Sequence, residues 1–164
     1  MTSRPPRAVV VLLLSVVVAA CATLPLPVPE AGTQVTPRQA VEIGQPVHAQ
    51  LWGGVIVGVD NRSDHTLLEV VGYPLRNQEP RTDRMTHGRF RVQVAGFLDP
   101  LDYRVGRRIT AYGPVERTEA GHIGAVEYVF PVMVGTAVQL WPEPEVRDRR
   151  SGGVTFGIGI GIGL

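Results

Sequence analysis

After Pro46 the chain alternates apolar and polar residues with a period of two. In VHAQLWGGVIVGV (47–59) the odd positions Val47, Ala49, Leu51, Val55, Val57 and Val59 are apolar, and the even ones include His48, Gln50 and Trp52. That pattern predicts a strand with its odd face buried. Gly53, Gly54 and Gly58 break the packing row, so a bulge or sharp bend is expected there. DNRSDH (60–65) is a turn by composition, and TLLEVVGYPL (66–75) is a second strand, apolar on both faces apart from Glu69. NQEPRTDRMTHG (77–88) reads as a polar loop. RFRVQVAGF (89–97) alternates cleanly, with Phe90, Val92 and Val94 inward and Arg89, Arg91 and Gln93 outward. LDPLDYRVG (98–106) is a compact turn. RRITAYGPV (107–115) and HIGAVEYVF (122–130) flank TEAG as a hairpin, and TAVQLW (136–141) is a sixth strand.

Six short strands with Gly- and Pro-rich turns predict an all-β domain. The order is a three-strand meander, a compact connection, a hairpin and a last strand. It suits a small closed or partly open six-stranded barrel of the oligonucleotide/oligosaccharide-binding (OB) type, which also removes exposed strand edges. A two-sheet β-sandwich is the alternative.

The N-terminal pattern is different. Arg4 and Arg7 precede an apolar run, Ala8–Val18, interrupted only by Ser15, and then Ala19, Ala20 and Cys21. This is the layout of a secretory signal. Val18-Ala19-Ala20-Cys21 fits the bacterial lipobox, so cleavage is expected between Ala20 and Cys21, with lipid on Cys21. One acyl chain anchors a protein only marginally, whereas three hold it for good. Two readings compete: an uncleaved membrane span, because Ala8–Leu24 is just long enough to cross, and an ordinary secretory signal with a chance Cys. Ala22 in place of Asp favours sorting to the outer membrane, by analogy with Gram-negative bacteria. Prolines 25, 27 and 29 predict an extended spacer. TPRQAVEIG (36–44) predicts a short helix with Thr36 as cap, Pro37 in the first turn and Gly44 at the C-terminal end.

The C-terminal stretch GGVTFGIGIGIGL (152–164) puts Val154, Phe156, Ile158, Ile160, Ile162 and Leu164 on one face and mainly glycines on the other. It reads as a one-sided strand that docks on another surface, the domain's own edge, a second copy or the membrane, with a disordered tail as the alternative. The expected organisation is therefore a signal peptide (1–20), an acylated Cys with a Pro-rich tether (21–45), a β domain (46–142) and a charged linker with the alternating tail (143–164).

Charge narrows the function classes. The formal net charge is +1, and a cut before Cys21 removes Arg4 and Arg7 and takes it to −1. The stretch 46–142 carries ten Arg and ten acidic residues. A neutral domain lacks the footprint of a nucleic-acid binder. His48, His65, His87 and His122 have no metal-ligand spacing, so no metal site is expected. The serines outside the leader, Ser63 and Ser151, lie in polar turns and not in a nucleophile elbow. Asp99 and Asp102 in FLDPLD suit turn capping better than acid–base work. No cofactor loop is visible, and neither a cofactor nor an enzymatic activity is expected. Arg81, Arg84, Arg89 and Arg91 cluster around the long loop and are candidate ligand-binding residues for phosphates or carboxylates. Trp52, Tyr73, Tyr103, Tyr112, Tyr128 and Trp141 could line a binding face as in OB readers, although such aromatics more often fill a core.

Several motifs in fixed order carry a resemblance. They are WGGVIVGVDN (52–61), TLLEVVGYPL (66–75), GRF (88–90), FLDPLDY (97–103), GRRITAYGPV (106–115) and GHIGAVEYVFPV (121–132). With the lipobox upstream, the chain from about 44 to 141 resembles the Slp family of outer-membrane lipoproteins. The resemblance implies a lipid-anchored outer-membrane protein with a periplasm-facing β domain, associated with starvation or stationary-phase stress and envelope maintenance. It implies no catalytic residue. The alternative is a binding module for a lipid, glycan or small metabolite, using the barrel face or the arginine loop.

Overall fold

The computed structural model describes residues 26–44 and 47–143. One helix, α1 (Pro37–Ile43), precedes β1 (Val47–Asn61), β2 (His65–Tyr73), β3 (Leu75–Arg76), β4 (Glu79–Pro80), β5 (Arg89–Ala95), β6 (Arg108–Ile123), β7 (Val126–Gly135) and β8 (Ala137–Leu140). The ladders run β1-β2-β5-β7-β6, and β6 pairs back with β1, which makes a ring of five strands. All pairings in the ring are antiparallel except β5 with β7. This is the expected OB-type barrel and not a sandwich, because the main sheet turns back on itself through the β1–β6 pairing and the other described sheet is only the two-stranded β3–β4 hairpin. The parallel seam is short, spanning Arg91–Val94 against Val132–Gly135, so the barrel is partly open. The predicted sixth strand is β8, which continues β7 along the same edge of β6 after a bend at Gly135–Thr136.

The barrel interior is filled by Trp52 and Ile56 from β1, Leu68 and Val70 from β2, Phe90 and Val92 from β5, Ile109, Ala111 and Val115 from β6, and Met133 from β7. Trp52 meets Phe90 edge-on at 5.2 Å, a geometry that the aromatic quadrupoles favour. The clean alternation predicted for β5 is observed. In β1 the expected phase is wrong over the middle of the strand. The even positions Trp52 and Ile56 face the core, while the odd Val47 and Val59 pack against it only at the two ends. Register shifts between Val47 and Gln50, and between Ile56 and Gly58, explain this. Each extra residue flips which face the side chains occupy. Gly54 shows why the row needs glycines: a Cβ there would lie 1.9 Å from the Val71 carbonyl oxygen.

TEAG is not the hairpin turn. Residues 118–121 continue β6, and the turn falls at Gly124–Ala125. The polar loop also holds more structure than its composition suggests. Asn77 and Gln78 both adopt positive φ, closing the β3–β4 hairpin as a two-residue turn of this hand requires.

The two ends of the barrel close differently. At one end sits α1, which forms as predicted. Thr36 accepts from the Gln39 N–H, the Gln39 side chain accepts from the Thr36 N–H, and Gly44 ends the helix at φ 65°. Ala40 of α1 is part of the core. At the other end the β5–β6 connection supplies Leu98 and Tyr103 against the core.

The Pro-rich segment is only partly a spacer. From Leu26 onward it lies on the domain, because its backbone groups find partners there. The Leu26 N–H donates to Gln78 Oε1 and its carbonyl accepts from Gln78 Nε2. The buried Gln50 side chain accepts from the Val35 N–H and donates to the Thr33 carbonyl, and the Trp52 indole donates to the Val35 carbonyl at 2.7 Å. Satisfying buried polar groups in this way is what makes such a strap hold. Cys21, the lipobox and the alternating tail 152–164 lie outside the described residues.

Candidate functional site

The outer face of β2, β5, β7 and β6 carries a continuous charged lattice. Register places Glu69 beside Arg91 and Val71 beside Arg89 across β2–β5. It places Val132 beside Arg91 across β5–β7, and Phe130 beside Glu119 across β6–β7. Arg89 binds Glu69 at 2.7 Å. Arg91 donates to Glu119 at 2.9 Å and reaches Glu69 at 3.9 Å. Arg117 binds Glu119 at 2.8 Å and donates to Gln93 at 3.0 Å. Opposite charges on neighbouring strands stabilise a sheet face.

Under this lattice the outer face is apolar. Phe130 and Val132 have no exposed surface. Arg91 lies 4.2 Å from the Phe130 ring centre, close enough for a cation–π contact. Tyr128 packs on Phe130 at 4.8 Å, and its hydroxyl accepts from the Arg89 N–H. Gly121 leaves the room this needs, since a Cβ there would meet Arg91 Nη2 at 2.9 Å and the Phe130 ring at 3.0 Å. Burial alone would raise the Glu119 carboxyl. The hydrogen bonds from Arg117 and Arg91, with their charges, outweigh it and hold the carboxyl below its ordinary value.

The four arginines singled out from the sequence do not form one site. Arg89 and Arg91 belong to the lattice. Arg81 and Arg84 lie on the loop after β4, where Arg81 forks Asp83 through Nε and Nη2 at 2.9 and 2.8 Å and Arg84 approaches the same carboxylate at 3.7 Å. The hydrogen bond from Arg81 holds the Asp83 carboxyl low. Each of these arginines therefore faces a carboxylate. Glu69, Arg117, Glu119 and Phe130 complete the lattice, and sequence reasoning missed them as site residues. One signal was present: Glu69 is the lone charge in an otherwise apolar strand.

Two concavities open near this face. A hollow of about 250 Å³ is lined by Val59, Asp60, Arg62, Leu67, Glu69 and Arg91. Another of about 470 Å³ lies on the β6–β7 hairpin at Gly121, His122, Glu127, Tyr128 and Val129. A third, of about 260 Å³, lies where the strap meets the barrel at Val35, Pro37, Leu51, Trp52 and Leu75. Asp99 does what the turn reading predicts, accepting from the Leu101 N–H. Of the candidate aromatics, Trp52 and Tyr103 pack in or against the core and Tyr128 sits at the lattice. The Trp141 indole donates to Thr110. Among the described residues no three His, Cys, Asp or Glu side chains converge as a metal site would need, and no helix is long and apolar enough to cross a membrane.

Comparison with known proteins supplies the family. Residues 18–156 match the outer membrane lipoprotein Slp family. Over 91 residues, 55% of this chain, the sequence is 37% identical to the uncharacterized lipoprotein YeaY of Escherichia coli (strain K12). That match spans 47% of the relative, about half its length. Over 149 residues, 85% of this chain and 77% of the relative, it is 28% identical to the outer membrane protein Slp of the same organism. No solved structure matches. The match runs from the lipobox through every strand of the barrel, and the chain belongs to the outer membrane lipoprotein Slp family.

Proposed function

We propose that the mature protein begins at Cys21, is acylated there, and holds a non-enzymatic OB-like barrel against the periplasmic face of the outer membrane in envelope maintenance under stress. In this reading residues 1–20 are the signal peptide and 143–164 a linker and accessory tail. The observation that carries it is the docking of Leu26 on Gln78. Only five peptide steps separate Cys21 from Leu26, which reach about 17 Å when fully extended. A lipid on Cys21 therefore keeps the domain at the leaflet and does not let it range across the periplasm. An arginine surface already paired with carboxylates suits a passive structural face better than a catalytic one. Labelling cells with a radioactive fatty acid tests the anchor. The wild-type chain should take up label and fractionate with the outer membrane, and Cys21→Ser should lose both properties. A labelled Ser variant would overturn the reading.

A second reading rests on the hollow beside Arg91. The barrel face would bind a neutral polar ligand such as a glycan, because the arginines that line the hollow, Arg62 and Arg91, are matched there by Asp60 and Glu69. Binding of outer-membrane glycans that Arg91→Ala abolishes would favour it.

A further inference from the structure

The β5–β6 connection has two sides. Leu98 and Tyr103 turn inward and pack on the core. Phe97, Leu101 and Val105 turn outward and are 69, 81 and 59% exposed. Three bare apolar side chains on one connection would be costly in water without a purpose. The connection is also held in shape. Asp99 caps the Leu101 N–H, the Tyr103 N–H donates to the Asp99 carbonyl, and Arg107 donates to the Asp102 carbonyl. Asn61 at the end of β1 donates to the Leu98 carbonyl, and the Leu98 N–H donates to Thr66.

The position of this connection relative to the chain ends says what it faces. Leu26 is gripped by Gln78. The Gln78 carbonyl accepts from Thr110, and Thr110 also accepts from the Trp141 indole. Beside Gln78, Glu79 pairs with Arg108, which donates to the Pro142 carbonyl. Next along, Glu143 pairs with Arg104 and lies 3.5 Å from Arg107, both within the connection or at its edge. Both ends of the described chain thus emerge on one flank, with Glu143 at the base of the connection and Leu26 beside Gln78. From Leu26 the strap runs toward α1 at the opposite end, past Val35 on Gln50 and Trp52. The α1 end, with the β6–β7 hairpin tip at Val126, is the end away from the leash.

We propose that the β5–β6 connection is a membrane-docking edge, with Phe97, Leu101 and Val105 entering the phospholipid leaflet that carries the lipid anchor. Arg104, 54% exposed beside Glu143, stands at its rim, where a long cationic side chain can keep its head at the phosphate level while its stem lies in apolar surroundings. The leash of about 17 Å brings this edge to the leaflet with no further partner. The docked pose turns the strap and the charged lattice sideways and the β6–β7 tip toward the periplasm. This inference deepens the anchor reading and depends on it.

The test uses the full acylated chain purified from membranes and placed in vesicles of phosphatidylethanolamine and phosphatidylglycerol. Leu101→Cys and, in a second protein, Val126→Cys are labelled with an environment-sensitive fluorophore. Both sites are exposed, so neither change disturbs the core. Brominated lipids should quench the label at 101 several-fold more than at 126, with a blue-shifted emission only at 101. Equal quenching at both sites, or stronger quenching at 126, overturns the docking edge. Intact mass of the same samples reports the lipid on Cys21. A chain without lipid overturns the anchor reading and this inference together, whereas an acylated chain with uniform quenching overturns this inference alone.

Discussion

The two faces of the sheet around β5 and β7 solve the same problem in opposite ways. On the inner face, Phe90 and Val92 are buried by other apolar side chains. On the outer face, across the sheet, Phe130 and Val132 are just as fully buried, but beneath the guanidinium lattice of Arg91 and its neighbours. Complete burial therefore does not identify a core. The inner face is held by close packing, which cannot be traded piecemeal. The outer face is held by long side chains whose apolar stems cover rings while their heads stay paired and partly wet.

That difference predicts a graded response to substitution. Phe90→Ala should be the most damaging, at about 3–5 kcal/mol, because it removes a buried ring and leaves a cavity against Trp52. Chemical denaturation of the mature chain measures it, and a loss no larger than that of Arg91→Ala would erase the contrast between the faces. Gln50→Leu should cost about 1–3 kcal/mol, since Val35 N–H and the Thr33 carbonyl lose their partner. It should also make the strap cleavable by protease while the barrel stays intact.

Arg91→Ala should cost about 1–2 kcal/mol, by uncovering Phe130 and leaving Glu119 with one arginine fewer. Phe130 should then become more accessible, which hydrogen exchange along β7 would report. The lattice also has a pH signature. The Glu119 carboxyl is held below its ordinary 4.5, so its contribution is complete above that pH and is lost as pH falls through the lower folded value. The gap in stability between wild type and Glu119→Gln should therefore be constant at neutral pH and close on acidification below about 4.5. A gap that widens toward acid would mean the shift has the opposite sign. Smallest of all, Arg81→Ala should leave the unfolding midpoint unchanged, because its pair with Asp83 is local and exposed.

The barrel class was legible because period-two alternation survives wherever a strand is regular. β5 shows it, and the cap residues of α1 announce that helix just as plainly. β1 was misread in its middle because two bulges reverse its phase, and an extra residue leaves no compositional trace beyond the glycines. The β6–β7 turn was placed too early because TEAG has turn composition, yet a hairpin arm extends through it to Gly124. Arg89 and Arg91 form the outward row that the alternation of β5 predicts. Its carboxylate partners come from β2 and β6, at sequence distances of 20 and 28 residues, which only the ladder order brings together. The role of Gln50 had no local signal either, because the backbone groups it satisfies belong to the strap.

Intact mass spectrometry of the protein extracted from its membrane tests the proposed short lipid leash most directly. The predicted species lacks residues 1–20 and begins at Cys21 carrying a thioether-linked diacylglycerol and an amide-linked acyl chain. A chain that still begins at Met1, or one whose Cys21 is a free thiol, would contradict it.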